Sequence, residues 1–430
     1  MLTDIYSDLT WRGLLHQATD PEKIPAWLQQ QPRTLYAGFD PTADSLHVGH
    51  LVALMTLRRF QKAGHRPIAL IGGATGMIGD PSGKSQERNL LDVASLEVNV
   101  AGMRSQVEVL LDFSGPQGAL LVNNFDWMKG YSFLNFLRDV GKCFPVNVML
   151  AKDSVKSRLE GSDSGLSYTE FSYMLLQAYD FVHLHQTYGC ELQIGGSDQW
   201  GNITAGIDLA RRMHGVHLHG MTSPLLTKAD GTKMGKTEGG AVWLSPTRTS
   251  PYAFYQYWFN VADAEVGKCL RYFTELSHDE LTALDESRQQ DPGRRESQRR
   301  LAEDVTRLIH GEVGLSAARR ASEILFGAEI DKLSDQELQD IFADVPSQQL
   351  TPDRLDGEGL NIIDALISSG LSKSKSDARR TIENGGAYVN NRRIEGFDTQ
   401  LGRSHLATKT VMVLRSGKKR YALIKFTAAD

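Results

Sequence analysis

Apolar positions along the first third of the chain change spacing twice. Thr34 to Phe39 is a short, dense run with strand character. Leu46 to Ala63 carries Leu51, Leu54, Met55 and Leu57 at helical spacing, and Pro67 to Ile71 is apolar and short again. Strand, helix and strand in such close succession make a βαβ unit, which predicts a parallel sheet with a right-handed crossover. Glu191 to Ile194 reads as a later strand running into the polar turn Gly195-Gly196-Ser197-Asp198-Gln199, after which Gly201 to Arg212 resumes a helical pattern. The polar turns after the first strand and after this later one both lie at carboxyl ends of strands. In open α/β sheets that edge receives ligands.

From about Ser250 charged helical segments take over, such as Arg294 to His310 with Leu301, Val305, Leu308 and Ile309 along one side. Pro346, Pro352, Gly357 and Gly359 punctuate a polar stretch with the character of a linker. A chain of 430 residues exceeds what one core usually supports. The expected organisation is a Rossmann-like, doubly wound α/β domain over residues 1–245, a helical domain over 246–345, a linker over 346–359 and a small α+β domain over 360–430.

Charge singles out the last of these. The chain has a net charge of −5, yet Leu355 to Asp430 holds thirteen Lys or Arg against eight Asp or Glu. A basic tail on an acidic body points to a module that meets a polyanion. Met1 to Asp8 lacks the basic start and apolar run of a secretory signal, and no stretch approaches the roughly eighteen apolar residues of a membrane span. A soluble, cytoplasmic protein is expected. Cys143, Cys190 and Cys269 are too scattered for a cysteine zinc site or a disulfide framework, so the expectation is reduced cysteines and no protein-bound metal.

Four patterns carry chemistry. His47-Val48-Gly49-His50 stands where the first strand hands over to its helix. A helix start offers unpaired N–H groups and a positive dipole end to phosphate, and Gly49 allows a nucleotide to approach the backbone. The alternative is a pair of capping or surface histidines; zinc would need further ligands that the neighbourhood does not supply. Lys233-Met234-Gly235-Lys236-Thr237, preceded by Lys228-Ala229-Asp230-Gly231-Thr232, makes a cationic loop suited to closing over a polyphosphate, although lysine and glycine in a turn are as often simply solvated. Gly72 to Ser85 is glycine-rich and ends in Gly83-Lys84-Ser85, but Ile78 stands where a Walker A loop requires glycine, so a P-loop is excluded. Asp80, Lys84 and Arg88 remain as a carboxylate and two cations beside a ligand loop. Finally, Tyr173, Gln177 and Asp180 share one helix face, opposite Phe171, Met174, Leu175, Ala178, Phe181 and Val182. That face either meets water or grips an amino group or a phenol.

Tyr36-Ala37-Gly38-Phe39-Asp40-Pro41-Thr42-Ala43-Asp44-Ser45-Leu46-His47-Val48-Gly49-His50 resembles the HIGH segment of class I aminoacyl-tRNA synthetases in its tyrosyl form. Leu192 to Asn202 and Lys228 to Thr237 are similar to the same family, and the likeness to bacterial-type tyrosyl-tRNA synthetases spans nearly the whole chain. The resemblance implies attack of the tyrosine carboxylate on the ATP α-phosphate, with magnesium accompanying the ATP, and then transfer of tyrosine to the 3′ end of tRNA. It places Thr42, His47, Lys233 and Lys236 on the polyphosphate, with Lys84 and Arg88 opposite, and His50 and Asp198 at the ribose beside Gly38 and Gly196. Tyr36 and Asp180 would face the phenolic hydroxyl, and Asp80, Tyr173 and Gln177 the ammonium group, with Asp40 and Gln199 nearby. Ala37 departs from relatives that carry cysteine there, which puts one ribose contact in doubt.

For the helical region the family implies anticodon binding. It implies a homodimer through the catalytic domain, with Phe144 and the segment Tyr131 to Tyr168 as candidates for the contact. Leu360 to Asp364, Ser372 to Glu383 and Gly386 to Arg393 resemble an RNA-binding domain of the ribosomal-protein type. There Lys373, Lys375, Arg379 and Arg380 line a helix, and Lys418, Lys419 and Arg420 lie in a later turn, as candidates for tRNA phosphates. Three rivals stand against this reading. A tryptophanyl enzyme has no use for the Tyr36 and Asp180 pair, a coenzyme adenylyltransferase is usually short and lacks the basic tail, and an RNA-binding relative without activity has no need of intact His47, His50, Lys233 and Lys236.

Overall fold

The structure is a computed structural model, which describes residues 4–82, 93–152, 155–156, 166–228, 231–232, 234–237, 240–330, 333–342, 345–417 and 420–427. The chain divides into two compact units. One comprises Met1–Thr249 and Gln256–Ile309, the other Ser250–Tyr255 and His310–Asp430.

The first unit is built on a six-stranded sheet of β1 (Gln17–Ala18), β2 (Thr34–Phe39), β3 (Arg66–Ile71), β4 (Leu120–Asn123), β5 (Cys190–Gly196) and β6 (His219–Ser223). Their order is β1-β6-β5-β2-β3-β4, and every neighbouring pair is parallel except β1 with β6. The chain runs outward from β2 through β3 to β4, then returns to the other side of β2 for β5 and β6. That reversal opens a crevice between the carboxyl ends of β2 and β5, the switch point at which doubly wound sheets bind ligands. β3 is buried along almost its whole length, as a strand covered on both faces must be, which accounts for its continuous apolar run.

The crossover helix Val48–Lys62 buries Val48, Leu51, Val52, Leu54, Met55, Leu57 and Phe60. The loop that feeds it is held from outside by one face of the helix Val93–Leu110. Asn99 donates to the Pro41 carbonyl at 2.9 Å, the Leu46 N–H donates to Gln106 Oε1 at 2.8 Å, and Gly102 lies directly against the main chain of Asp44.

In the second unit a five-stranded sheet is ordered Arg392–Arg393, Ala387–Val389, Val411–Ser416, Arg420–Phe426 and Ser347–Leu350. Its two long strands alternate with period two. Met412, Leu414, Ala422 and Ile424 pack with the helices Ile362–Ser368 and Lys375–Glu383, whereas Val411, Val413, Tyr421 and Leu423 pack with Ile324, Leu338 and Phe342. Residues 346–359, expected as a linker, thus include a strand, Ser347–Leu350, which pairs in parallel with Arg420–Phe426. Polar composition disguised it, because an edge strand with Ser347, Gln348 and Gln349 carries little apolar signal. Asn390 and Asn391 supply the two left-handed residues, φ 50° and 64°, of a two-residue hairpin turn.

A Cβ at Gly102 would collide with the carbonyl oxygen of Asp44. Gly102→Ala is therefore expected to destabilise the first unit by about 1–3 kcal/mol, as other overpacked sites do. Calorimetry should show a lower thermal midpoint; an unchanged midpoint would mean that the helix does not fix this loop.

Candidate active site

The crevice at the switch point is a cleft of about 500 Å³. Tyr36, Gly38, Asp40, Thr42, His47, His50, Asp80, Tyr173, Gln177, Asp180, Gly196, Asp198 and Gln199 all line it. Those residues come from the ends of β2 and β5, the start of the helix Val48–Lys62, the turn after β3 and the inner face of the helix Tyr168–Tyr188. The structure thus brings together thirteen positions that are up to 163 residues apart in sequence.

At the floor lies Asp180, fully buried and held by two donors. Asn124 Nδ2 donates to one carboxylate oxygen at 3.0 Å and Trp127 Nε1 to the other at 2.9 Å. Loss of water pushes the Asp180 carboxyl up to about 7, against the two hydrogen bonds that favour the charged form. Beside it stands Tyr36, 1% exposed, whose hydroxyl has no hydrogen-bond partner. Burial, and next the Asp180 charge, raise the Tyr36 phenol well above its ordinary range, so it remains a neutral donor. A buried hydroxyl without a partner costs about 1–3 kcal/mol. A ligand hydroxyl lying between Tyr36 and Asp180 would remove that cost.

A second polar set lies nearer the mouth. Tyr173 donates to Asp40 Oδ2 at 2.9 Å, and Thr75 Oγ1 donates to Asp40 Oδ1 at 2.7 Å. Asn124 Nδ2 also reaches Thr75 Oγ1 at 3.0 Å, so one amide links the two carboxylates. Gly72 is required here, since a Cβ would overlap both Asp40 and Thr75. Asp80 accepts from Gln199 Nε2 at 2.7 Å and from the Ser82 N–H at 2.9 Å. Gln177 Nε2 donates to Gln199 Oε1 at 3.2 Å, which leaves Gln177 Oε1 buried and without a partner. Two carboxylates, a phenol oxygen and an unpaired amide oxygen line this part of the cleft. It suits a cation.

Glycine and histidine shape the opposite wall. The Gly49 N–H donates to His47 Nδ1 at 3.0 Å, and the His47 N–H donates to His50 Nδ1 at 3.1 Å. The two rings stack with centroids 3.9 Å apart. The capping reading is borne out: each Nδ1 accepts from the helix start, so each ring in its neutral form carries its proton on Nε2. Gly49 has no room for a Cβ, which would sit 2.8 Å from His47 Cε1, and one at Gly196 would sit 2.6 Å from Asp198 Oδ1.

Of the cationic loop, the described backbone is tied to the histidine turn. The Val242 N–H donates to the Gly235 carbonyl, the Val48 N–H to the Val242 carbonyl, and the Trp243 ring meets His47 edge-on at 5.9 Å. Met234 and Gly235 line the cleft. Lys236 lies in a two-residue strand, but only its backbone is described; Lys84, Arg88 and Lys233 lie outside the described residues. In the second unit Lys373, Lys375, Arg379, Arg380 and Arg420 are exposed, with Arg380 paired to Asp377 at 3.0 Å and Lys375 to Asp364 at 4.0 Å. Lys418 and Lys419 lie outside the described residues.

Thr75, Asn124 and Trp127 were not anticipated. Asn124 follows β4 at the same sheet edge as the other turns, so a polar residue just after an apolar strand was the available signal.

The chain is similar to known proteins over nearly its whole length. Residues 28–327 match the family model described as tRNA synthetases class I (W and Y), and residues 337–424 match a tyrosine–tRNA ligase SYY-like C-terminal domain. The chain is 59% identical over 421 residues to the tyrosine–tRNA ligase of Rhodopirellula baltica, covering 98% of this chain and 96% of that protein. It is 54% identical over 425 residues to the tyrosine–tRNA ligase of Roseiflexus castenholzii, covering 99% and 100%. The crystal structure of a C-terminally truncated Aspergillus nidulans mitochondrial tyrosyl-tRNA synthetase superposes with a TM-score of 0.69 at 31% identity, over 75% of this chain and 94% of that one. A Plasmodium falciparum tryptophanyl-tRNA synthetase shares the fold, with a TM-score of 0.52 at 15% identity over 78% and 87% of the two chains.

Because burial raises the Asp180 carboxyl above its ordinary value, the folded chain takes up a proton there that the unfolded chain does not hold. The associated stability is full below the unfolded value near 4 and is lost as pH rises through about 7. Urea unfolding at pH 5 and pH 8 should therefore show Asp180→Asn gaining stability relative to the parent at the higher pH. A difference independent of pH would contradict the buried, desolvated placement.

Proposed function

The chain belongs to the tyrosine–tRNA ligase family of class I aminoacyl-tRNA synthetases, and from that premise we propose how its cleft divides the work. The reaction uses ATP and tyrosine, then tRNA. A tyrosine carboxylate oxygen attacks the α-phosphorus, the bond from that phosphorus to the bridging oxygen breaks, and pyrophosphate leaves with that electron pair. The terminal ribose hydroxyl of the tRNA then attacks the carbonyl carbon of tyrosyl-adenylate, loses its proton, and AMP departs. No protein nucleophile takes part, so the residues act by positioning and by placing positive charge where negative charge develops.

The observation that carries the assignment is the pair of unsatisfied polar atoms, Tyr36 Oη and Gln177 Oε1, in the same cleft. The tyrosine phenol completes the first, donating to Asp180 and accepting from Tyr36. Its ammonium group completes the second, meeting Gln177 Oε1, Tyr173 and Asp80, with Asp40 and Gln199 holding those groups in place. On the other wall the Nε2–H groups of His47 and His50 face the polyphosphate and the ribose, with Asp198 at the ribose and Gly38 and Gly196 giving the nucleotide room. Thr42, Lys233 and Lys236, and Lys84 and Arg88 across from them, supply the remaining phosphate contacts. Magnesium enters with the nucleotide. Asp40, Asp80 and Asp180 already accept protein hydrogen bonds, so phosphate oxygens and water are its natural ligands, not a carboxylate cage.

The remaining roles rest on composition and surface. Residues 1–245 carry the activation chemistry, 246–345 serve the anticodon, and 360–430 bind tRNA phosphates through Lys373, Lys375, Arg379, Arg380, Lys418, Lys419 and Arg420. Phe133, Leu134, Val146, Val148, Leu150 and Tyr168 are exposed apolar residues close in sequence, as a homodimer contact requires, whereas Phe144 packs on the unit's own core. No helix among the described residues is long and apolar enough to cross a membrane, which accords with work in the cytoplasm.

Tyr36→Phe removes one neutral hydrogen bond that tyrosine makes and phenylalanine cannot. The ratio of kcat/KM for tyrosine over phenylalanine in ATP–pyrophosphate exchange should fall about 3–10-fold, equivalent to about 0.5–1.5 kcal/mol. Equal losses for both amino acids would place the phenol elsewhere.

A further inference from the structure

A group of ligating side chains lies outside the cleft. Asp20, in the loop that follows β1, and His217 and His219, at the amino end of β6, each bring one ligand atom to a common space. These atoms all lie within 4.8 Å of one another. Asp20 and His217 are 197 residues apart, yet Asp20 Oδ2 and His217 Nε2 are 2.9 Å apart. The site is at the entry of β6, whereas the cleft is at the carboxyl ends of the strands.

The backbone fixes this meeting. β1 pairs antiparallel with β6, Gln17 opposite Thr222 and Ala18 opposite Met221. The pairing continues one step further, with the Thr19 N–H donating to the Gly220 carbonyl at 2.9 Å and the Gly220 N–H to Thr19 Oγ1 at 3.0 Å. The next step brings Asp20 to His219. That histidine is 8% exposed, its ring packed at 4.2 Å against Trp27, which in turn lies under the Arg33 guanidinium. Its Nδ1 is buried and has no hydrogen-bond partner. One ligand is therefore built in and not committed through that nitrogen to another group. The other two are more exposed and can turn: His217 faces His219 with ring centroids 5.1 Å apart.

We propose that Asp20, His217 and His219 bind one divalent first-row transition cation, of which zinc is the natural probe. Two imidazoles and one carboxylate form a mixed nitrogen and oxygen set suited to such ions, and with three protein ligands a fourth position remains for water. Zinc bonds of about 2.0–2.2 Å require ligand atoms closer together than 4.8 Å. Rotation of the exposed Asp20 and His217 side chains provides that contraction. A bound ion would clamp the loop after β1 to the edge strand β6. Cysteine spacing gave no hint of this site, because its ligands are histidines and a carboxylate joined only by the fold.

The test uses the full chain without nucleotide, titrated with zinc in competition with a chromophoric chelator, and with cobalt to read the visible absorption of a bound ion. His217→Ala and Asp20→Ala change exposed side chains; His214→Ala is the control, since His214 is nearby but pairs with Gln186. Tyrosine-dependent exchange confirms that each variant is folded. The parent and His214→Ala should bind one equivalent that is weakened about tenfold or more in both His217→Ala and Asp20→Ala, with loss of the cobalt band. The inference is overturned by the absence of a saturable equivalent, by one that survives both substitutions, or by one lost in His214→Ala.

Discussion

A carboxylate with no access to water has to be satisfied by the protein around it, and the cleft is organised by how that is done for Asp180. Its two oxygens accept from Asn124, which directly follows β4, and from Trp127 in the short helix Phe125–Met128. The same Asn124 amide donates to Thr75, Thr75 donates to Asp40, and Asp40 also accepts from the Tyr173 hydroxyl. A single hydrogen-bonded chain thus joins the turns after β2, β3 and β4 to the long helix Tyr168–Tyr188. A network in a low-dielectric interior fixes its members firmly because each unmade bond is costly. What it leaves unmade is therefore informative: among the described residues the Tyr36 hydroxyl, one Gln177 oxygen and one Gln193 oxygen are buried side-chain atoms of the cleft without a hydrogen-bond partner.

The histidine wall of the cleft is organised by the backbone. His47 and His50 cap their own helix through Nδ1, and this capping sets the tautomer that presents a donor from Nε2. The loop carrying these histidines is pressed into place by Asn99, Gly102 and Gln106, on a helix that otherwise contributes little to the cleft.

Much of this was legible in the chain. β2 and β3 announce themselves because a strand covered on both faces must be apolar throughout, and the histidine turn stands out because it interrupts a βαβ unit at its ligand edge. The face Tyr173, Gln177 and Asp180 followed from helical spacing, and all three residues line the cleft. The supports of Asp180 were not legible, since nothing local marks Asn124 and Trp127 as its donors. The strand Ser347–Leu350 was hidden by polar residues at a sheet edge, and Asp20 meets His217 and His219 only through the antiparallel pairing of β1 with β6.

The central claim is that the cleft is completed by tyrosine, whose phenol satisfies Tyr36 and Asp180 while its ammonium group satisfies Gln177. ATP–pyrophosphate exchange measured with each of the twenty amino acids tests it most directly. The account predicts exchange that depends on tyrosine, with phenylalanine and tryptophan far behind, because phenylalanine leaves the buried pair unpaired and an indole offers no hydroxyl. Exchange supported equally by phenylalanine, or by tryptophan in preference to tyrosine, would contradict it.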